Sequence, residues 1–204
     1  MRRLATYFIL PVWISAGFLD YLWHRRTRIE TTTGVKESVI HQLMMLEGAP
    51  VVLSALFLEI NVTVLALVIA FAVVHELTVL WDLKFTAPLR PIPAGEQVTH
   101  TFLEAPPFLI AAAAISTHWD QFLALLGHGR GRRGLRLQQP PLPWSDVLLT
   151  LAALTCIDAL PHVEELWRCI QAQRAGIAGR DFSAPRKPNA ASVATQGELV
   201  RHVE

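Results

Sequence analysis

The chain has 204 residues and a net charge of +1; 52% of its residues are hydrophobic, only 17% are charged, and the mean hydropathy is +0.35. A soluble domain carries about 25% charged residues, so this composition speaks against one and for a chain that lives in lipid. With no net basic charge, no basic patch interleaved with aromatics and no zinc-finger spacing, nothing points to a nucleic-acid partner.

Apolar runs lie at roughly 4–23, 38–58, 60–81, 105–126 and 144–166. Each is near the ~20 residues that cross a hydrocarbon core as a helix. The backbone must satisfy its own hydrogen bonds there, so the expected fold is all-α: a polytopic membrane bundle of about five transmembrane helices over residues 1–170. The first run follows Met1-Arg2-Arg3 but ends in His24-Arg25-Arg26, with no small-residue cleavage site. It therefore reads as a span with a stop-transfer flank, not a signal peptide. The third run, Val62 to Val74, is the clearest. The second carries His41, Gln42 and Glu47, and the fourth carries His118 and Asp120 near its end.

The connections alternate in character. Helices 1 and 2 are joined by a polar loop from Arg25 to Gly34, helices 2 and 3 by a tight turn near Glu59-Ile60-Asn61. The segment from Asp82 to Thr101 contains Pro88, Pro91, Pro93 and Gly95, so it is not one continuous helix. Pro106-Pro107 should break or kink the path and leave His100 and Glu104 on a short separate helix. The Gly127–Gly134 stretch is rich in Gly and Arg and is expected to be flexible. The polar, Ala/Ser/Pro-rich tail over 171–204 is expected to be disordered beyond about Gly176. Cys156 and Cys169 form no disulfide framework.

Threading five spans places the 1–2 loop and the 3–4 segment on one side, together with the end of helix 5. Histidines and acids collect there. Asp20-x3-His24 ends helix 1, Glu37-x3-His41 begins helix 2, and His75 and Asp82 end helix 3. Glu96-x3-His100-x3-Glu104 approaches helix 4, and Asp158-x3-His162, followed by Glu165, ends helix 5. With 17 acids over 204 positions, eight histidines would have fewer than one acid four residues ahead by chance. Residues four apart share a helix face, about 5–6 Å between Cβ atoms, so each pair offers an oxygen beside an imidazole. Glu198-x3-His202 repeats the spacing in the tail and reads as coincidence.

Mixed imidazole and carboxylate donors suit iron, manganese or zinc, and two-metal sites are built in bundles by inward-facing Glu and His. The expected ligands are Asp20, His24, Glu37, His41, His75, Asp82, His100 and Glu104, enough for two metal ions. Asp158 and His162 are expected around them or as alternative ligands, because ligating histidines need an acceptor on the other ring nitrogen; Glu96, Glu47 and Arg90 are also expected around the site. Taken singly, each pair is a solvated helix end, and Thr101-x-x-Glu104 is a capping-box pattern. The convergence of several pairs is what favours a metal. Glu47 lies about 15 Å deeper along its helix than Glu37. An ionised carboxylate at that depth costs roughly 2.5–3.5 kcal/mol, so it faces the bundle or is protonated; a structural hydrogen bond and a proton path fit equally. Trp13, Trp23, Trp81, Trp144 and Trp167 read as interface-belt or packing residues. Arg90 could bind a headgroup phosphate or hold Glu96.

The run Asp20-Tyr21-Leu22-Trp23-His24-Arg25-Arg26-x-Arg28-Ile29-Glu30-x3-Gly34-x2-Glu37-Ser38-x2-His41 resembles a family of small bacterial integral membrane proteins. So do His75-Glu76-x5-Asp82, Arg90-Pro91-Ile92-Pro93 and Glu96-Gln97-x2-His100. The resemblance covers roughly 15–108 and implies a bacterial inner membrane. In logic the arrangement is similar to membrane fatty acid hydroxylases and desaturases, which hold two irons at the cytosolic ends of helices, and to di-iron carboxylate proteins. The His-x3-His and His-x2-His-His boxes of the former and the Glu-x2-His spacing of the latter are absent here. The leading expectation is a di-iron oxidoreductase acting on a lipid or other apolar substrate, its redox partner unidentified, with the site on the cytoplasmic side. A zinc-dependent lipid hydrolase and a non-enzymatic carrier or sensor of metal ions or protons are the alternatives. Arginines and lysines balance on the two sides, so positive-inside counting does not choose an orientation.

Overall fold

The computed structural model describes residues 5–180. Arg2, Arg3 and the part of the expected disordered tail over 181–204, Glu198 and His202 included, lie outside the described residues. The chain is an all-α membrane bundle. Helix α1 (Leu10–Thr27) follows a π-helical turn, Ala5–Ile9. Then come α2 (Val35–Phe57), α3 (Val62–Thr86), α4 (Ala94–Thr117) and a short α5 (Trp119–Leu125). A last rod comprises α6 (Trp144–Ala153), a π-helical turn (Leu154–Ala159) and α7 (Leu160–Arg174). Four rods are long and apolar enough to cross a membrane: α2, α3, α4 and the continuous Trp144–Arg174.

Local chemistry sets the ends. Helix α1 stops where Arg28 takes a left-handed conformation (φ 55°) and its N–H donates to the His24 carbonyl. Gly34 then needs φ 69°, a region open to glycine, to turn the chain into α2. Asn61 caps α3, its Oδ1 accepting from the N–H groups of Thr63 and Val64 at 3.0 and 3.2 Å. Among the described residues the only β pairing is an isolated bridge between Leu58 and Leu137.

Three expectations are corrected. First, α4 is one helix from Ala94 to Thr117, so Glu96, His100 and Glu104 share it and no separate short helix exists. Pro106 and Pro107 remove two backbone donors, but both are buried where α4 packs on α1 and α3, and those neighbours carry the helix through. Second, the Gly127–Gly134 stretch is pinned to the turn between α2 and α3. Val62 N–H donates to Arg132 O at 3.0 Å, Asn61 Nδ2 donates to Gly134 O at 2.9 Å, and Arg132 pairs with Glu59. Third, the last rod continues to Arg174, about two turns beyond the expected end at 166. Arg168 on that extension donates to Glu30 at 2.6 Å and ties the rod to the 1–2 loop.

The bundle is divided by polarity. Ile9, Val51, Val64, Val68, Ile110 and Ala111 form one apolar core, with Trp13 and Phe71 against it. Leu10, Val52 and Leu56 form a second, covered by Leu151 and Leu154. Both occupy the half away from the 1–2 loop. Tyr7 Oη donates to Asp146 at the start of α6 (2.8 Å), so the described N-terminal end lies on the same side as the Gly/Arg loop. The other half of the bundle interior is polar.

Candidate metal centre

Helix α1 places Asp20 and His24 on its inner face, both buried. The His24 ring is fully enclosed, and its Nδ1–H donates to Glu165 Oε2 at 2.8 Å. Its Nε2 is buried with no hydrogen-bond partner. Three carboxylate oxygens surround it: Asp20 Oδ2 at 3.4 Å, Glu96 Oε1 at 3.7 Å and Glu37 Oε1 at 4.0 Å. His100 Nε2 lies 3.0 Å from Asp20 Oδ1 on the other side. Ligands held about 2.0–2.2 Å from a metal lie roughly 3.0–3.6 Å from one another; the Asp20 separations fall in that range, and those to Glu96 and Glu37 are slightly wider.

His41 repeats the pattern from α2. Its ring stacks on that of His24, centroids 4.6 Å apart and planes 8° from parallel. Its Nδ1 faces the second oxygen of Glu165 at 3.9 Å, and its Nε2 faces Asp82 Oδ2 at 3.5 Å. One carboxylate on α7 thus stands behind two imidazoles whose Nε2 atoms both look into the bundle. Two groups of donors can hold an ion: Asp20, His24, Glu96 and His100; and His24, Glu37 and His41.

Arg90, from the short link between α3 and α4, is buried beside them. Its Nη2 donates to Glu37 Oε1 at 2.6 Å and its Nε to Glu37 Oε2 at 3.2 Å, while Nη2 also reaches Glu96 Oε1. Thr33 Oγ1 donates to Glu37 as well. Burial disfavours the Arg90 cation, but the hydrogen bonds it donates to Glu96 and Glu37 outweigh that and push the pKa above the usual arginine value. Of the two expectations for Arg90, the structure bears out the contact with Glu96 and adds Glu37.

Charge is the strongest constraint. Asp20, Glu37, Glu47, Asp82, Glu96 and Glu165 are all 7% exposed or less, whereas among the described residues Arg90 is the one buried guanidinium or ammonium. Burying an unpaired carboxylate is expensive enough that such groups take up protons or cations. Glu96 Oε2, Asp82 Oδ1 and His24 Nε2 are buried without hydrogen-bond partners, so the pocket has donor atoms to spare.

The expected ligands divide into three sets. Asp20, His24, Glu37, His41 and His100 converge, and Glu96, expected only around the ligands, joins them. Asp82 faces His41 but lies outside both donor groups. His75 and Glu104 stand apart. His75 Nδ1 faces Glu47 Oε2 at 3.7 Å, two turns deeper than Asp82, and Thr78 donates to Glu47 Oε1 at 2.7 Å. Glu104 faces the adjoining cavity together with Asp158 and His162; His162 Nδ1–H donates to the Asp158 carbonyl at 2.9 Å. Glu165 had no role in the sequence expectation. The available signal was its position three residues beyond His162, on the inner face of the last rod.

That cavity holds about 440 Å³ and is lined mainly by apolar side chains, with Asp20, His41, Asp82 and His100 at its polar end. Compared with family models, curated proteins and solved structures, the chain gives no match in any of the three.

Proposed function

We propose that this chain is a metal-dependent membrane oxidoreductase, holding two ions among Asp20, His24, Glu37, His41, Asp82, Glu96 and His100 and acting on a lipid or other apolar substrate. The observation that carries the reading is His24: a fully buried imidazole whose Nδ1 is fixed by Glu165 and whose unpartnered Nε2 faces three carboxylate oxygens. The carboxylate-rich donor set favours iron, and bound iron would supply electron transfer to dioxygen. Hydroxylation then balances as one oxygen atom inserted into a substrate C–H bond and the other released as water, with two electrons and two protons from a separate donor.

The chain's own residues have defined tasks. Glu165 orients the His24 imidazole through its hydrogen bond and stands behind that of His41. Arg90 neutralises part of the acid excess without occupying Glu96 Oε2. The adjoining cavity holds an apolar molecule and keeps water away. We place the site at the cytoplasmic face of a bacterial inner membrane, by the resemblance set out above.

Elemental analysis of protein purified in detergent tests the reading. Wild type should carry about two irons per chain, as a two-metal bundle site requires. His24→Ala/His100→Ala should lose most of the metal while remaining folded by circular dichroism. Unchanged metal in that variant overturns the ligand assignment. Zinc alone in wild type overturns the redox reading and favours a hydrolase, in which a metal-bound water is the nucleophile.

A further inference from the structure

The cavity has a direction. Along α2 its lining runs from His41 through Met45 and Gly48 to Leu53. Those twelve residues of rise correspond to about 18 Å, more than half of a ~30 Å hydrocarbon core. The upper end is the polar one, beside Asp20 and His100. The lower end is closed by an apolar floor of Trp13, Val52, Leu151 and Leu154. Between them Met44, Met45, Val79 and Leu103 give an aliphatic and thioether wall, interrupted by His75, Glu104, Asp158 and His162. Methionine suits a wall that must fit a flexible guest.

The wall is also open to lipid. Leu46 and Leu53 line the cavity and are nevertheless 70% and 45% exposed, on a helix apolar enough to face the bilayer. Gly48 lets Trp13 pack close to α2 on this side: a Cβ there would stand 3.3 Å from the Trp13 ring. A guest can therefore move in sideways from the hydrocarbon without crossing water.

Resting on the functional reading above, we propose that the substrate is a lipid carrying a single long alkyl chain. The chain lies along α2 with its methyl end on the Val52–Leu151 floor, and the carbons next to the polar head lie beside Asp20 and His100. The donor cluster sits near one membrane face and the cavity descends from it toward the midplane. A lipid of that leaflet keeps its head at the interface and its tail inside in this pose alone. Reaction consequently falls on head-proximal carbons, not at the methyl end.

The test is photolabelling in nanodiscs with a palmitate analogue bearing a diazirine at its terminal carbon, followed by peptide mapping. It is run on metal-loaded and on chelator-stripped protein. The expected result is adducts on α6 and the lower half of α2, around Val52 and Leu151, in both preparations. Ala49→Trp and, separately, Met45→Trp should abolish them while leaving metal content at the wild-type value. Adducts near His41 or His100 overturn the orientation. Adducts confined to outward-facing residues, unaffected by either tryptophan, overturn the chain-binding cavity. Normal labelling of a protein that binds no metal overturns the metal reading and leaves the cavity assignment standing.

Discussion

At the scale of single residues, the centre depends on groups that need not touch an ion at all. Glu165 is the clearest, since one carboxylate stands behind two stacked imidazoles. Removing such an acceptor typically costs 10–100-fold in metal affinity. Glu165→Gln should show a loss of about that size in a chelator competition, with the fold intact; unchanged affinity would mean His24 and His41 are oriented by other contacts. Arg90 acts through charge. Arg90→Ala leaves Glu37 and Glu96 buried without their cation, which should destabilise the metal-free protein by about 3–5 kcal/mol in thermal or denaturant unfolding. Arg90→Lys should recover only part, because one ammonium cannot make the forked contacts to two carboxylates. The acid–histidine spacing made most of this pocket legible in the sequence. Glu165 was not, because its role depends on α7 crossing α2, a contact between residues far apart in the chain. Nor was the difference between Glu37 and Glu96, which have identical side chains and differ in which oxygens Arg90 and Thr33 occupy.

At the scale of elements, close approach between α1 and α4 brings His100 to Asp20. Gly95 permits it: a Cβ there would collide with the indole of Trp23. Gly95→Ala should push the first turn of α4 away from α1, lower stability by roughly 1–3 kcal/mol as overpacking does, and reduce bound metal. Trp23→Ala in the same chain should restore the metal; if Gly95→Ala binds metal normally, the approach is looser than described. Four spans were readable from hydropathy because lipid demands long apolar runs. The start of α4 was not. Its first turns bear Glu96, His100 and Glu104 turned toward the interior, and hydropathy averages that face with the apolar one. The prolines misled for a related reason: their cost is fixed locally, but the neighbours that support the helix are not.

At the scale of the whole molecule, two sets of loops end up on opposite faces. The start of α2 and the 3–4 link meet through Glu37 and Arg90, whereas the turn between α2 and α3 binds the Gly/Arg loop. In a Cys156→Ala background, cysteines at Arg26→Cys and Pro88→Cys should react with an impermeant maleimide from one side of oriented vesicles. Arg133→Cys and Leu135→Cys should react only from the other. Shared accessibility of all four would break the topology on which the centre depends. Which side is cytoplasmic comes from the same labelling, since basic residues balance across the membrane.

His24 and Glu165 are 141 positions apart, on the first and last long rods. During synthesis, therefore, every nitrogen and oxygen that can grip an ion through residue 100 is threaded into the bilayer well before the carboxylate that aligns the two imidazoles has left the ribosome. A nascent or prematurely stopped chain holds donors that can scavenge whatever cation is at hand, but not in the finished arrangement. Correct loading belongs to the completed polypeptide, so the last helix serves as the clasp that separates a finished product from an abandoned one.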